Sequence, residues 1–100
     1  MVVELRGPTA ELLTASERVE RGIGMPPGLL ARAVAPRDDG IVLINLWASE
    51  EQRVAANEDP VHHRVLQESG IEALVRERVV RRFDGARLDV APPAATARRL

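Results

Sequence analysis

The segment Ile41-Val42-Leu43-Ile44-Asn45-Leu46-Trp47 restricts the folding of this chain more than any other. It is apolar except for one amide, rich in β-branched residues and closed by an aromatic, which is the signature of a strand. Side chains alternate faces along a strand. Val42, Ile44 and Leu46 therefore share one face, and Ile41, Leu43, Asn45 and Trp47 share the other. Both faces are apolar, so both need cover. The purely aliphatic face, Val42, Ile44 and Leu46, suits the side of the sheet beneath helices. The face with the amide and the indole is then expected to look away from them.

Other elements arrange themselves around this strand. Val2 to Arg6 is a short β-rich run ended by Gly7-Pro8. Thr9 can cap a helix, with Glu11 in its first turn, where a carboxylate suits the helix dipole. Leu12, Ser16, Val19 and Ile23 follow at helical spacing, and Gly22 and Gly24 end the helix. Leu29 to Val34 reads as a second strand, and Ala35 to Gly40 as a hairpin loop containing Asp39-Gly40. After the central strand, Ser49-Glu50-Glu51-Gln52 has the capping-box pattern. Asp59-Pro60 restarts the helix, since Asp can cap it and Pro suits its first position. Gly70 is a natural stop. Glu72 to Arg82 reads as a last strand and Asp84-Gly85 as a turn.

The order β, α, β, β, α, β is that of a ferredoxin-like α+β domain: an antiparallel four-stranded sheet with two helices on one face. One such domain accounts for residues 1–85, leaving an Ala/Pro-rich stretch, residues 86–100, as a flexible C-terminal tail. The chain has 100 residues, 45% of them apolar, but Trp47 and Phe83 are its only aromatics. A core of small aliphatics in so short a chain buries limited area, which favours an oligomer.

Charge and composition exclude several classes of function. With 14 basic and 15 acidic residues the net charge is −1, so no field of one sign recruits nucleic acid or an anionic membrane. All the basic residues are Arg, interleaved with Glu and Asp, as on a solvated, ion-paired surface. There is no cysteine, which removes disulfides, thiolate catalysis and Cys-based metal sites. No apolar run approaches the ~20 residues that span a bilayer. The expectation is a cytoplasmic protein with no membrane or nucleic-acid partner.

A ferredoxin-like sheet has helices on one face only. The face turned away from them would carry Ile41, Leu43, Trp47, Leu74 and Val80, a patch that needs cover. Two sheets packed across a twofold axis would bury it, making a homodimer. Glu4, Arg6, Asn45, Arg32, Arg76 and Arg78 would then lie inside or at the rim of the closed space, where a ligand could bind.

The stretch Ile41 to Glu51 resembles the third strand and helix start of antibiotic-biosynthesis-monooxygenase-like proteins of the dimeric α/β barrel group. The shared elements are an aliphatic strand, a Trp near its end and a Ser-Glu helix opening. Asp59-Pro60-Val61-His62-His63-Arg64 resembles the group's acidic-or-Ser, Pro, His segment in the second helix. The resemblance implies a dimeric α/β barrel. Among the activities it implies is cofactor-independent oxidation of a small planar aromatic, polyketide or quinol-like substrate by oxygen. Other members of the group bind ligands or have no activity known, and fold does not fix function. The haem-degrading members carry a Trp within the second helix; the helix around Ala55 and Ala56 has none. Many relatives carry a His where this chain has Asn57.

The candidate residues each admit a plain reading. Trp47 is an aromatic anchor or the wall of a ligand pocket. Asn45, an amide in an aliphatic strand, must find hydrogen-bond partners; it bonds a neighbour, or it holds a substrate oxygen. His62 and His63 are adjacent and point about 100° apart on a helix, so they cannot chelate one metal together. Either can serve as a base or simply pack at a helix edge. The expected catalytic set is Asn45, His62 and His63. The expected ligand contacts are Trp47, Leu43, Arg6, Arg32 and Arg76, with no metal and no cofactor. The alternative is a non-catalytic ligand-binding or interaction module on the same fold.

Overall fold

The computed structural model describes residues 1–82. The domain end at residue 85, the Asp84-Gly85 turn and the tail at 86–100 lie outside the described residues. Eight elements run in order: β1 Val2–Arg6, α1 Thr9–Ile23, β2 Leu29–Arg37, β3 Gly40–Trp47, α2 Glu50–Glu58, α3 Pro60–Ser69, α4 Ile71–Leu74 and β4 Glu77–Arg81. The four strands form one sheet in the order β2-β3-β1-β4, and every neighbouring pair is antiparallel. This is the ferredoxin-like arrangement expected from the element order, with the second helical unit broken into three pieces.

Local chemistry explains most of the boundaries. The Ser49 hydroxyl accepts from the Gln52 amide at 3.2 Å and opens α2. The Asp59 carboxylate accepts from the Val61 amide at 2.9 Å and opens α3, with Pro60 in its first turn. Thr9 does not cap α1 through its side chain, because its hydroxyl donates instead to the Arg37 carbonyl, 2.6 Å away. Gly22 lies inside α1 rather than ending it. A Cβ there would stand 2.7 Å from Val65 Cγ1, so the glycine lets α3 approach α1 closely. β2 runs through Pro36 to Arg37, which the sequence suggested was loop. A proline is tolerated there because β2 is an edge strand.

The last strand is shorter than expected. Residues 71–74 form α4, not strand: Gly70 takes the left-handed conformation at φ 76°, and the Ser69 hydroxyl accepts from the Ile71 amide at 3.2 Å. Ile71 is thereby tucked into the core at 5% exposure, and Leu74 packs against that core.

The largest correction concerns the faces of β3. The core beneath the helices is Val3, Leu5, Leu12, Ala15, Ile41 and Ile71, with Leu43 packed against it. Ile41 is 1% exposed whereas Ile44 is 45% exposed. Thus Ile41, Leu43, Asn45 and Trp47 face the helices, and Val42, Ile44 and Leu46 face away, the reverse of the expectation. Register supplies the reason. Val3 pairs with Leu43 and Leu5 with Ile41, while Glu4 pairs with Val42. In β1 only the Val3/Leu5 side is free of charge, so that side must enter the core, and it takes Ile41 and Leu43 with it. Glu4 and Arg6 consequently lie on the uncovered face, where Glu4 pairs with Arg37 at 2.6 Å. Gly40 fixes this register: a Cβ there would lie 1.9 Å from the Leu5 carbonyl oxygen.

Candidate functional site

A half-open cleft of about 400 Å³ lies between the covered face of the sheet and helices α1, α2 and α3. Its base is Val3, Leu5, Leu43, Asn45 and Trp47 from β1 and β3. Facing them are Val19 and Ile23 of α1, Ala56 and Asn57 of α2, and His62, His63 and Leu66 of α3. The volume falls in the usual range for small-ligand pockets, and the mixture of apolar wall with few polar groups is typical of them. The expected site between two sheets is therefore replaced by one between sheet and helices, within a single chain.

Several polar groups in this cleft are unused. Asn45 is held by its backbone: its amide donates to the Met1 carbonyl at 2.9 Å, and its carbonyl accepts from the Met1 ammonium at 2.8 Å. Its side-chain amide makes no hydrogen bond to any of the described residues, leaving a donor and an acceptor on the cleft floor. The Trp47 indole N–H and the His62 Nδ1 are buried and have no partner among the described residues. Orphaned buried polar atoms are uncommon in folded proteins. Two of them on the wall of one cleft, beside the unbonded Asn45 side-chain amide, mark it as a candidate ligand site.

The two histidines differ. His63 Nε2 lies against the Asn57 carbonyl. A carbonyl can only accept, so neutral His63 carries its proton on Nε2 and keeps a free lone pair on Nδ1. The His62 ring stands edge-on to it, centroids 6.3 Å apart. Burial pushes the His62 pKa below its ordinary value, and the neighbouring His63 adds to this, while Asp59 pulls the other way. His62 is therefore a neutral imidazole at neutral pH.

Two arginines join the cleft, each already occupied. Arg32 sits opposite Asn45 on β2 and donates to the Gly24 carbonyl at 2.8 Å, near the C-terminal end of α1, where a cation suits the dipole. Arg78 pairs with Glu72 at 2.8 Å along the cleft edge. Of the expected site residues, the structure brings Asn45, His62, His63, Trp47, Leu43 and Arg32 to this one cleft. Arg6 and Arg76 do not line it. Arg6 lies on the uncovered face between Asp39 and Glu77, and exposed Arg76 precedes β4. Sequence reasoning missed Asn57, Glu20 and Glu72 as wall residues.

A crystal structure from Chloroflexus aurantiacus J-10-fl, provisionally assigned as an antibiotic biosynthesis monooxygenase, superposes on this chain. The TM-score is 0.56, and the match covers 85% of this chain and 94% of that one. This chain shares that protein's fold. At 18% identity the likeness stops there. No family model matches the sequence, and none of the curated proteins matches it. Among the described residues no group of three or more His, Cys, Asp or Glu is placed to hold a metal ion, and no helix is long and apolar enough to cross a membrane.

Proposed function

We propose that the cleft binds a small planar hydroxyaromatic molecule and oxidises it with oxygen, without a cofactor. The observation that supports this reading is the meeting of Asn45, Trp47, His62 and His63 on one half-open apolar wall, with the Asn45 amide, the Trp47 N–H and the His62 Nδ1 unpartnered. In this reading the free Nδ1 of His63, or neutral His62, accepts a proton from an activated CH₂ or O–H of the substrate. The Asn45 amide and the indole N–H hold the resulting oxyanion; donors aimed at developing charge in a low-dielectric site are the strongest stabilising device available. The carbanion form gives one electron to O₂, and the radical pair combines as a peroxide at carbon. Reprotonation and loss of water leave a ketone. One oxygen atom enters the product, the other leaves as water, and the substrate supplies every electron.

Oxygen uptake with anthrones and naphthohydroquinones tests this. Uptake should exceed spontaneous autoxidation, and Asn45→Ala should lower it about 10–100-fold, below the loss of about 10²–10³-fold for a full oxyanion-hole donor. Rates equal to the uncatalysed background for the whole panel would reject the oxygenase. Saturable binding without uptake would establish the second reading, a non-catalytic ligand-binding module. The Arg78–Glu72 ion pair favours that module, because it spends one of the cleft's charges on a neighbouring side chain.

The second copy belongs to the same proposal. The uncovered face presents Val2, Val42, Ile44, Leu46 and Val79 with no helix over them, and Glu4 there is already neutralised by Arg37 and, at 3.9 Å, Arg81. An apolar sheet face whose buried charge is paired suits sheet-to-sheet packing across a twofold axis.

A further inference from the structure

A second hollow of about 340 Å³ adjoins the cleft. Ile23, Pro26, Ala56 and His62 belong to the walls of both. Beyond this partition the outer hollow is walled chiefly by Met25, Pro27, Ala55 and Val61. Met25 is 56% and Val61 45% exposed, large apolar surface left to water around a concavity.

The two hollows offer opposite chemistry. The polar side chains of the outer one are partly engaged: one oxygen of the Asp59 carboxylate accepts from the Val61 amide, and the Gln52 side-chain oxygen accepts from the Ser49 hydroxyl. The inner one holds the unused polar groups, the Asn45 amide and the Trp47 N–H. His62 stands in the partition between them. His62 Nδ1 makes no hydrogen bond, so its ring can turn without breaking one at that atom.

We propose that cleft and outer hollow together hold one elongated amphipathic ligand, a hydroxyaromatic head bearing an alkyl chain, with the head against Asn45 and Trp47 and the chain passing His62 into the outer hollow. This rests on the cleft being the ligand site, as above, but not on any turnover. The head finds unsatisfied hydrogen-bonding groups on the cleft floor, and the chain covers apolar surface that nothing else among the described residues covers.

Phenol and the 4-alkylphenols from methyl to heptyl are the probes. Trp47 is the sole tryptophan of the chain and lies in the cleft, so its fluorescence reports occupancy of the full-length protein directly. Once the alkyl chain reaches the outer hollow, affinity should rise about fourfold per methylene, the usual gain for burying a CH₂. Ala55 and Val61 line the outer hollow from two different helices and do not line the inner one, so Ala55→Phe and Val61→Phe should fill the outer hollow alone. Both should flatten the rise while leaving the affinity for phenol itself unchanged, and an unchanged thermal melt confirms that each variant folds. Failure of the whole series to bind, affinity independent of chain length, or a rise that persists in both variants overturns the proposal. A clear rise without oxygen uptake would discard the oxygenase and keep the amphipathic ligand; uptake on unsubstituted anthrones without the rise would do the reverse.

Discussion

Leu43 and Ile44 are neighbours in sequence that look into opposite worlds, so the same substitution at each should do different things. Leu43 lines the cleft and packs on the core; Ile44 lies on the uncovered face at 45% exposure. In a monomer, Ile44→Glu puts its carboxylate into water and should change folding stability by less than about 1 kcal/mol, as surface changes do. In a sheet-to-sheet dimer the same carboxylate is buried near the twofold axis with its symmetry mate. Even about 2 kcal/mol per unpaired polar group becomes about 4 kcal/mol per dimer, because the axis applies the change twice. That is a weakening of roughly 10³-fold in Kd.

Leu43→Glu should behave otherwise. Removing a core leucine alone costs about 2–5 kcal/mol, and the carboxylate adds its own desolvation. A domain of this size has only about 5–15 kcal/mol in total. The assay is light scattering on a sizing column beside urea denaturation of each variant. Ile44→Glu should give a folded monomer and Leu43→Glu a poorly folded chain. An unmodified protein with the mass of one chain would refute the dimer, and the opposite pattern in the two variants would refute the assignment of faces.

Three further outcomes follow from the geometry. Asn45→Ala should weaken ligand binding by about 0.5–1.5 kcal/mol while leaving the melting temperature nearly unmoved, because the side-chain amide bonds no described residue; unchanged affinity with a large fall in melting temperature would make Asn45 structural. Because the folded-state pKa of His62 lies below its ordinary 6.5, the unfolded chain binds more protons just under that value, so stability should rise with pH through this window and level off above it. Thermal melts from pH 5 to 8 should show that slope, and His62→Gln should reduce it; an identical slope in the variant would assign it to other groups. Gly40→Ala forces a Cβ against the backbone of β1, where nothing flexible can yield, and should cost at least about 1–3 kcal/mol by urea unfolding; a silent substitution would show that the register is held elsewhere.

The elements that sequence made legible are those whose signal is local. Ser49 and Asp59 announce helix starts through a side chain bonding an amide two or three residues on. The β-rich runs of β1 and β3 state their type in their own residues. What stayed hidden depended on partners distant in sequence. Thr9 looked like a cap but bonds the Arg37 carbonyl, 28 residues away. Gly22 looked like a helix stop, and only the approach of Val65 shows its use. Residues 71–74 carry enough apolar character for a strand, yet Ser69 and Gly70 turn them into a helical step that seats Ile71 in the core.

The reversed face of β3 follows from the same logic and shows what would have decided it. A strand apolar on both sides carries no parity of its own, so Val42, Ile44 and Leu46 argued as well for the core as Ile41 and Leu43. The parity of β1 was plain, with Val3 and Leu5 against Glu4 and Arg6. What was missing was the register joining the two strands, which pairs Arg6 with Gly40. That pairing is fixed by side chains at the strand ends: Arg6 reaches Asp39, and Gly40 alone admits the close approach of the Leu5 carbonyl. Once Arg6 is set opposite Gly40, alternation carries Leu5 with Ile41, Val3 with Leu43, and therefore Asn45 and Trp47 into the space under the helices. The residues chosen for chemistry thus stayed together through the reversal, because Asn45 and Trp47 share a parity whichever way the strand is turned. The reversal decided what they meet: His62 and His63 of the same chain, instead of the sheet of a second copy.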